Sequence, residues 1–111
     1  MTSEQEQWPA VVPYVEWHTG PRRTATFVMP SFGATTPPVV SVDGRQYLTY
    51  WGQVTFEIPA DRAVHLSVHL EAEAIRGAAS ILVPPGDAVW LQYTVQKLGG
   101  RGSLALVAPP V

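Results

Sequence analysis

Cysteine is absent from this chain of 111 residues. Its absence excludes a disulfide framework, a thiolate nucleophile and cysteine-ligated zinc, and it suits a reducing compartment. Charge is scarce as well. Only 14% of residues are Asp, Glu, Lys or Arg, against roughly 25% in an ordinary soluble domain. Low charge leaves apolar or aromatic area on the surface or in the keeping of a partner. Seven basic against nine acidic residues give a net charge of −2, and Arg22-Arg23 is the only adjacent cationic pair. Nucleic-acid binding is not expected, because phosphate contacts require clustered cations.

Long apolar runs are missing too. Nothing approaches the ~20 residues that span a bilayer, and the start MTSEQEQWPAVV is acidic and polar where a signal peptide is basic and then apolar. The expectation is a soluble, cytoplasmic chain with no membrane insertion. No phosphate-binding loop or dinucleotide fingerprint occurs; Gly99-Gly100-Arg101-Gly102 lacks the Lys-Ser/Thr pair and a following helix. Helical patterning is confined to EAEAIRG, Glu71 to Gly77. It is short and uncapped, and reads as a strand end plus loop or as a single helical turn.

What is plentiful is turn chemistry: eleven prolines and nine glycines, mostly between apolar runs. Residues 1–17 form an extended N-terminal arm in this reading, because Pro9 and Pro13 cannot donate to a ladder. Strands are expected at Arg23–Met29, Val39–Val42, Arg45–Tyr50, Val54–Ile58, Val64–Glu71, Ala78–Val83, Ala88–Gln96 and Ser103–Ala108. In the fifth, Val64, Leu66, Val68 and Leu70 alternate with His65, Ser67, His69 and Glu71. A period of two marks strands with one dry and one wet face. Asp43-Gly44 predicts a type I′ hairpin turn, and Pro59-Ala60-Asp61-Arg62 is read as the turn of a central hairpin from Val54 to Leu70. Seven or eight short strands in one domain, residues 1–111, point to an all-β fold, an Ig-like antiparallel β-sandwich.

From Val40 to Val95 the chain resembles a PEGA-type module, a small bacterial Ig-like or transthyretin-like β-sandwich. The marks are Val42-Asp43-Gly44 closing a strand and Gly52 before an alternating strand with Phe56. A Pro-containing turn into the long strand from Pro59 to Leu70 follows, then Pro85-Gly86 and a final strand to Val95. Asp61 stands where the family's turn carries glycine. The resemblance implies a scaffold or interaction role, often in proteins of the cell envelope, and transfers no catalytic residue.

The residues offer little chemistry. His65 and His69 share a strand face, but their Cα atoms are ~13 Å apart at ~3.3 Å per residue, too far to share one metal ion at ~2 Å bond lengths. Ser67, His69 and Asp61 can be written as a triad, yet no nucleophile elbow or oxyanion loop accompanies them. No metal, cofactor or catalytic residue is expected. The aromatics are the better lead: Trp8, Tyr14 and Trp17 in the arm, Tyr47, Tyr50 and Trp51 before Val54, and Trp90 on the outward side of its strand. Large side chains with a polar tip suit interfaces. The leading reading is a non-catalytic module for protein–protein contact, as a homo-oligomer or a subunit of a larger assembly. A carbohydrate-binding module stacking glycans on Trp17, Tyr50 or Trp90 is the alternative, and a small hydrolase comes third.

Overall fold

The alternating segments become eight strands in the computed structural model, which describes residues 10–31, 35–96 and 100–110. They are β1 (Arg22–Met29), β2 (Pro38–Val42), β3 (Arg45–Leu48), β4 (Gly52–Pro59), β5 (Val64–Glu71), β6 (Ile75–Val83), β7 (Val89–Val95) and β8 (Gly102–Val107). No helix occurs among the described residues, so none is long and apolar enough to cross a membrane. EAEAIRG holds the end of β5, a bend at 72–74 and the start of β6.

The strands form two four-stranded sheets in a sandwich-like arrangement, one ordered β4-β1-β7-β8 and the other β3-β2-β5-β6. Two expectations are corrected here. The segments Val54–Ile58 and Val64–Glu71 do not pair with each other: β4 pairs with β1, β5 pairs with β2 and β6, and residues 60–63 cross between sheets. Alternation told each strand which face is dry, and both dry faces do point inward, but from opposite sheets. The sheets are also not purely antiparallel, because β1 and β7 run parallel, with Thr26 opposite Trp90. A parallel pair needs a long connection, and here it passes through the whole second sheet. The Asp43-Gly44 turn is as expected. Both residues have positive φ, 48° and 89°, and Val42 pairs with Arg45 across them.

The inward residues form one core. Ala25, Phe27 and Met29 of β1 and Val54, Phe56 and Ile58 of β4 meet Val64, Leu66 and Val68 of β5. Phe27 and Phe56 sit edge to face at 5.6 Å, and Tyr47 reaches Phe56 from the other sheet at 5.2 Å. Each such fully buried side chain contributes about 1.5–3 kcal/mol through the area it removes from water. Arg23 enters the same interior from the end of β1. It donates through Nε to the Pro59 carbonyl at 2.9 Å and through Nη1 to that of Asp87 at 3.3 Å, tying two loops together. Burial lowers its pKa, against the pull of Asp87 in the opposite direction.

Along one side the sheets meet backbone to backbone. Gly77 donates to the Gly100 carbonyl at 2.7 Å and accepts the Tyr93 hydroxyl at 2.6 Å. A Cβ on Gly102 would lie 2.0 Å from the Gly77 carbonyl oxygen, so β6 and β8 can approach there only with glycine. Gly102→Ala is expected to cost about 3 kcal/mol or more, since the obstacle is main chain and cannot yield as a side chain does. Gly44→Ala, where the new Cβ meets nothing within 4 Å but φ is positive, is expected to cost about 1 kcal/mol. Urea unfolding of the two variants checks the order; equal costs would show that the seam is not tight.

Candidate functional site

The arm is the element that departs most from the strand pattern, and it covers the other side of the sandwich. Val12 lies parallel to β4 in an isolated bridge with Phe56, donating to the Thr55 carbonyl at 2.9 Å and accepting the Glu57 amide at 2.8 Å. Even-numbered Val12 and Tyr14 turn into the core, while Val11, Pro13, Val15 and Trp17 are exposed on the outside. Trp17 is 87% exposed and Val15 54%. The alternation of a strand therefore continues through the arm although prolines prevent a full ladder.

Arginines hold the arm down. Arg22 donates to the carbonyls of Tyr14 and His18, each at 3.0 Å, and to Glu57 at 2.8 Å. Arg45 pairs with Glu16 at 2.8 Å. Arg62, from the crossover, donates to the Tyr14 hydroxyl and to Asp43 at 3.0 Å. The Tyr14 hydroxyl in turn donates to Asp43 at 2.9 Å, and the guanidiniums of Arg22 and Arg62 lie 5.9 and 5.8 Å from the centre of its ring. Tyr14 thus closes a latch over the Asp43-Gly44 turn. An open depression lined by Tyr14, Glu16, Asp43, Arg45 and Arg62 lies beside it, its charged groups already engaged with one another. Burial alone would push the Asp43 carboxyl up. Hydrogen bonds from the His65 amide, Tyr14 and Arg62 outweigh it and hold the carboxyl below its usual range. Burial first, and then Asp43, raise the pKa of Tyr14.

The remaining sequence-derived residues scatter. Trp51 stacks on Tyr93 at 6.2 Å and donates to the Thr36 carbonyl at 2.9 Å, and half-buried Tyr47 packs on Phe56, so both line the core. Tyr50 is partly exposed just past β3. Trp90 is half-buried on the outer face of its sheet, between Thr26 and Val107 on the adjoining strands. Trp8 lies outside the described residues. His65 is exposed, whereas His69 is 8% exposed and bonded to Glu71 at 2.7 Å. Asp61 instead lies 3.4 Å from His18, so His69 and Asp61 each have another partner. No group of three His, Cys, Asp or Glu suited to a metal occurs among the described residues.

The chain matches no protein-family model, no curated protein and no solved structure. The sequence marks Asp43 and Arg62 as turn residues and Arg22 as half of a cationic pair, but it points to none of the partnerships among Asp43, Arg62, Glu16, Arg45, Arg22 and Glu57. Their side-chain partners lie 19 to 48 positions away, and no spacing rule reaches that far.

Because the folded-state pKa of Asp43 is depressed, its contribution is present above the ordinary carboxylate pKa and is lost as pH falls through the folded value. Acidification is therefore expected to release the arm. Wild-type protein should lose more stability than Asp43→Asn between neutral pH and the acid range, with arm proteolysis rising in parallel. Identical pH profiles for the two would show that the latch carries no carboxylate-dependent stability.

Proposed function

We propose that this chain is a non-catalytic, Ig-like β-sandwich that works by protein–protein contact, as a homo-oligomer or as a subunit of a larger assembly. One observation supports this reading above the others. The pinned arm presents Val11, Val15 and Trp17 to solvent on one side, while its own inward residues are anchored in the core. An indole that is 87% exposed on a segment held by three arginines has little use for folding, and a rigid aromatic anchor is what interface hot spots are made of. The groups in the neighbouring depression hold the arm, which favours a structural use for them over a catalytic one. Kinship to PEGA-type modules, and a cytoplasmic setting, belong to the same reading.

The arm does not invite strand addition. Val12 uses its main chain on β4, so the next outward-facing amide belongs to position 13, and Pro13 has none. Recognition here is by side chains. Trp17→Ala is expected to weaken binding to an identified partner by roughly 30-fold, the ~2 kcal/mol of a central aromatic anchor, while leaving thermal stability within about 0.5 kcal/mol. Binding measured by calorimetry that is unchanged in Trp17→Ala and Val15→Ser would refute the arm as the contact.

A glycan reading draws on a different place. The outer face of the β4-β1-β7-β8 sheet carries Thr26, Gln53, Gln92, Thr94 and half-buried Trp90, and its one carboxylate, Glu57, is paired with Arg22. A neutral face with one indole suits a neutral sugar ring. Soluble neutral polysaccharide should then shift tryptophan fluorescence in wild-type protein and not in Trp90→Ala; no shift in either removes this reading.

A further inference from the structure

The ladder between β5 and β6 is interrupted once. Between the pairs Val68–Ala79 and Leu70–Arg76, β5 supplies His69 alone while β6 supplies Gly77 and Ala78. Two residues against one make a β-bulge, and Gly77, at a φ of 59°, takes the left-handed conformation that such a bulge asks of its first residue. Bulges re-aim side chains and accompany sites. Here the side chain opposite the bulge is His69, on the outer face of the sheet, because Val64, Leu66 and Val68 occupy the inner one.

A depression of about 260 Å³ opens at this place, with Ser67, His69, Ala78 and Ser80 in its lining. It is smaller than the ~300–1,000 Å³ pockets of drug-sized ligands and suits a single functional group on a short stem. His69 is 8% exposed, and its Nε2 lies 2.7 Å from a carboxylate oxygen of Glu71. In the neutral ring that contact keeps the proton on Nε2 and leaves Nδ1 as an acceptor. Among the described residues Nδ1 has no partner, nor do the hydroxyls of Ser67 and Ser80, and none of the three is sealed from solvent. Ser67 and Ser80 are directly opposite in the ladder, which sets their Cβ atoms ~4.5–5.5 Å apart. His69 is the next outward residue of β5, ~6.7 Å further along, and its longer side chain spans the difference.

We infer that this depression binds a primary ammonium group, donated to Nδ1 of His69 and to the hydroxyl oxygens of Ser67 and Ser80. An ammonium carries three donors and no acceptor. Three acceptors around a tetrahedral nitrogen at ~2.9 Å stand about 4.7 Å from one another, the spacing the opposed serines provide. The charge agrees as well. Half-exposed Glu71 adjoins the imidazole, and no Lys or Arg lines the depression, so a cation is favoured over a phosphate or a carboxylate. Leu82, 64% exposed, is the next outward residue of β6 after Ser80 and gives an alkyl stem an apolar footing, as stems of this kind prefer. The group can come from a free alkylamine or from a lysine side chain of another protein. The site lies apart from the arm and does not rest on the reading of the arm as a contact.

The test is an NMR titration at pH 8, where alkylamines remain charged, following the ring protons of His69 with those of His18 and His65 as internal controls. Butylammonium chloride is expected to move the His69 signals alone, saturating at about 1–10 mM, the range open to so small a ligand. Tetramethylammonium, a cation without donors, and glycerol, a donor without charge, should leave them in place. Ser67→Ala and Ser80→Ala should each raise the dissociation constant about tenfold, and Glu71→Gln about threefold. No saturable shift up to about 100 mM butylammonium, equal shifts with tetramethylammonium or glycerol, or serine variants that bind as wild type overturn the inference. Acetyl-Ala-Lys-Ala-amide separates the two sources: binding as tight as butylammonium or tighter assigns a protein lysine, and weaker binding assigns a free amine. The titration uses no protein partner, so its failure leaves the arm reading standing, and a failed arm leaves this site untouched.

Discussion

Unpaired backbone at the sheet edges is the constraint that shapes this molecule. Two small sheets can bury their faces against each other, but the outermost strands keep a row of donors and acceptors with no partner. One long side is closed by glycine, where Gly77, Gly100 and Gly102 let main chain touch main chain. The other is closed by an arm that inserts Val12 and Tyr14 between the sheets and bonds to β4. The core, the latch and the exposed strip of the arm all follow from how those edges are handled.

The scarcity of charge takes on a meaning in this frame. Arg22, Arg45 and Arg62 are spent on the arm, and Arg23 on holding the carbonyls of Pro59 and Asp87 inside the fold. Exposed pairs such as Arg45–Glu16 add little to stability, because water screens them. The latch gains more from its partly buried members, because Tyr14 supplies a hydroxyl for Asp43 and Arg62 together with a ring for two guanidiniums. With the arginines drawn to these duties, the outer faces are left nearly neutral. Trp17, Val15 and Leu106 stand exposed on that surface.

Much of the fold was legible in the sequence because period-two alternation is a local signal. It placed all eight strands to within a few residues, and it assigned the inward side of β5 and the outward side for Trp90 correctly. Asp43-Gly44 was equally clear, since positive φ at two successive positions leaves few residue choices. Strand partnership was not legible. Val54–Ile58 and Val64–Glu71 sit close in sequence with proper turn residues between, yet Pro59 to Ala63 carries the chain across the sandwich rather than back along it. The aromatics were visible as residues but not as surroundings. Tyr47 and Trp51 pack against Phe56 and Tyr93 while Trp17 faces water, a difference that neighbours from other strands impose. The latch escaped notice because its members meet only after folding.

Residue-resolved amide hydrogen exchange at two protein concentrations reads the state of every edge in one measurement. If the edges are closed as described, the amides of Val12 and Glu57 are protected at both concentrations, as is Gly77 at the seam. Rapid exchange at Glu57 and Val12, or at Gly77, would contradict it.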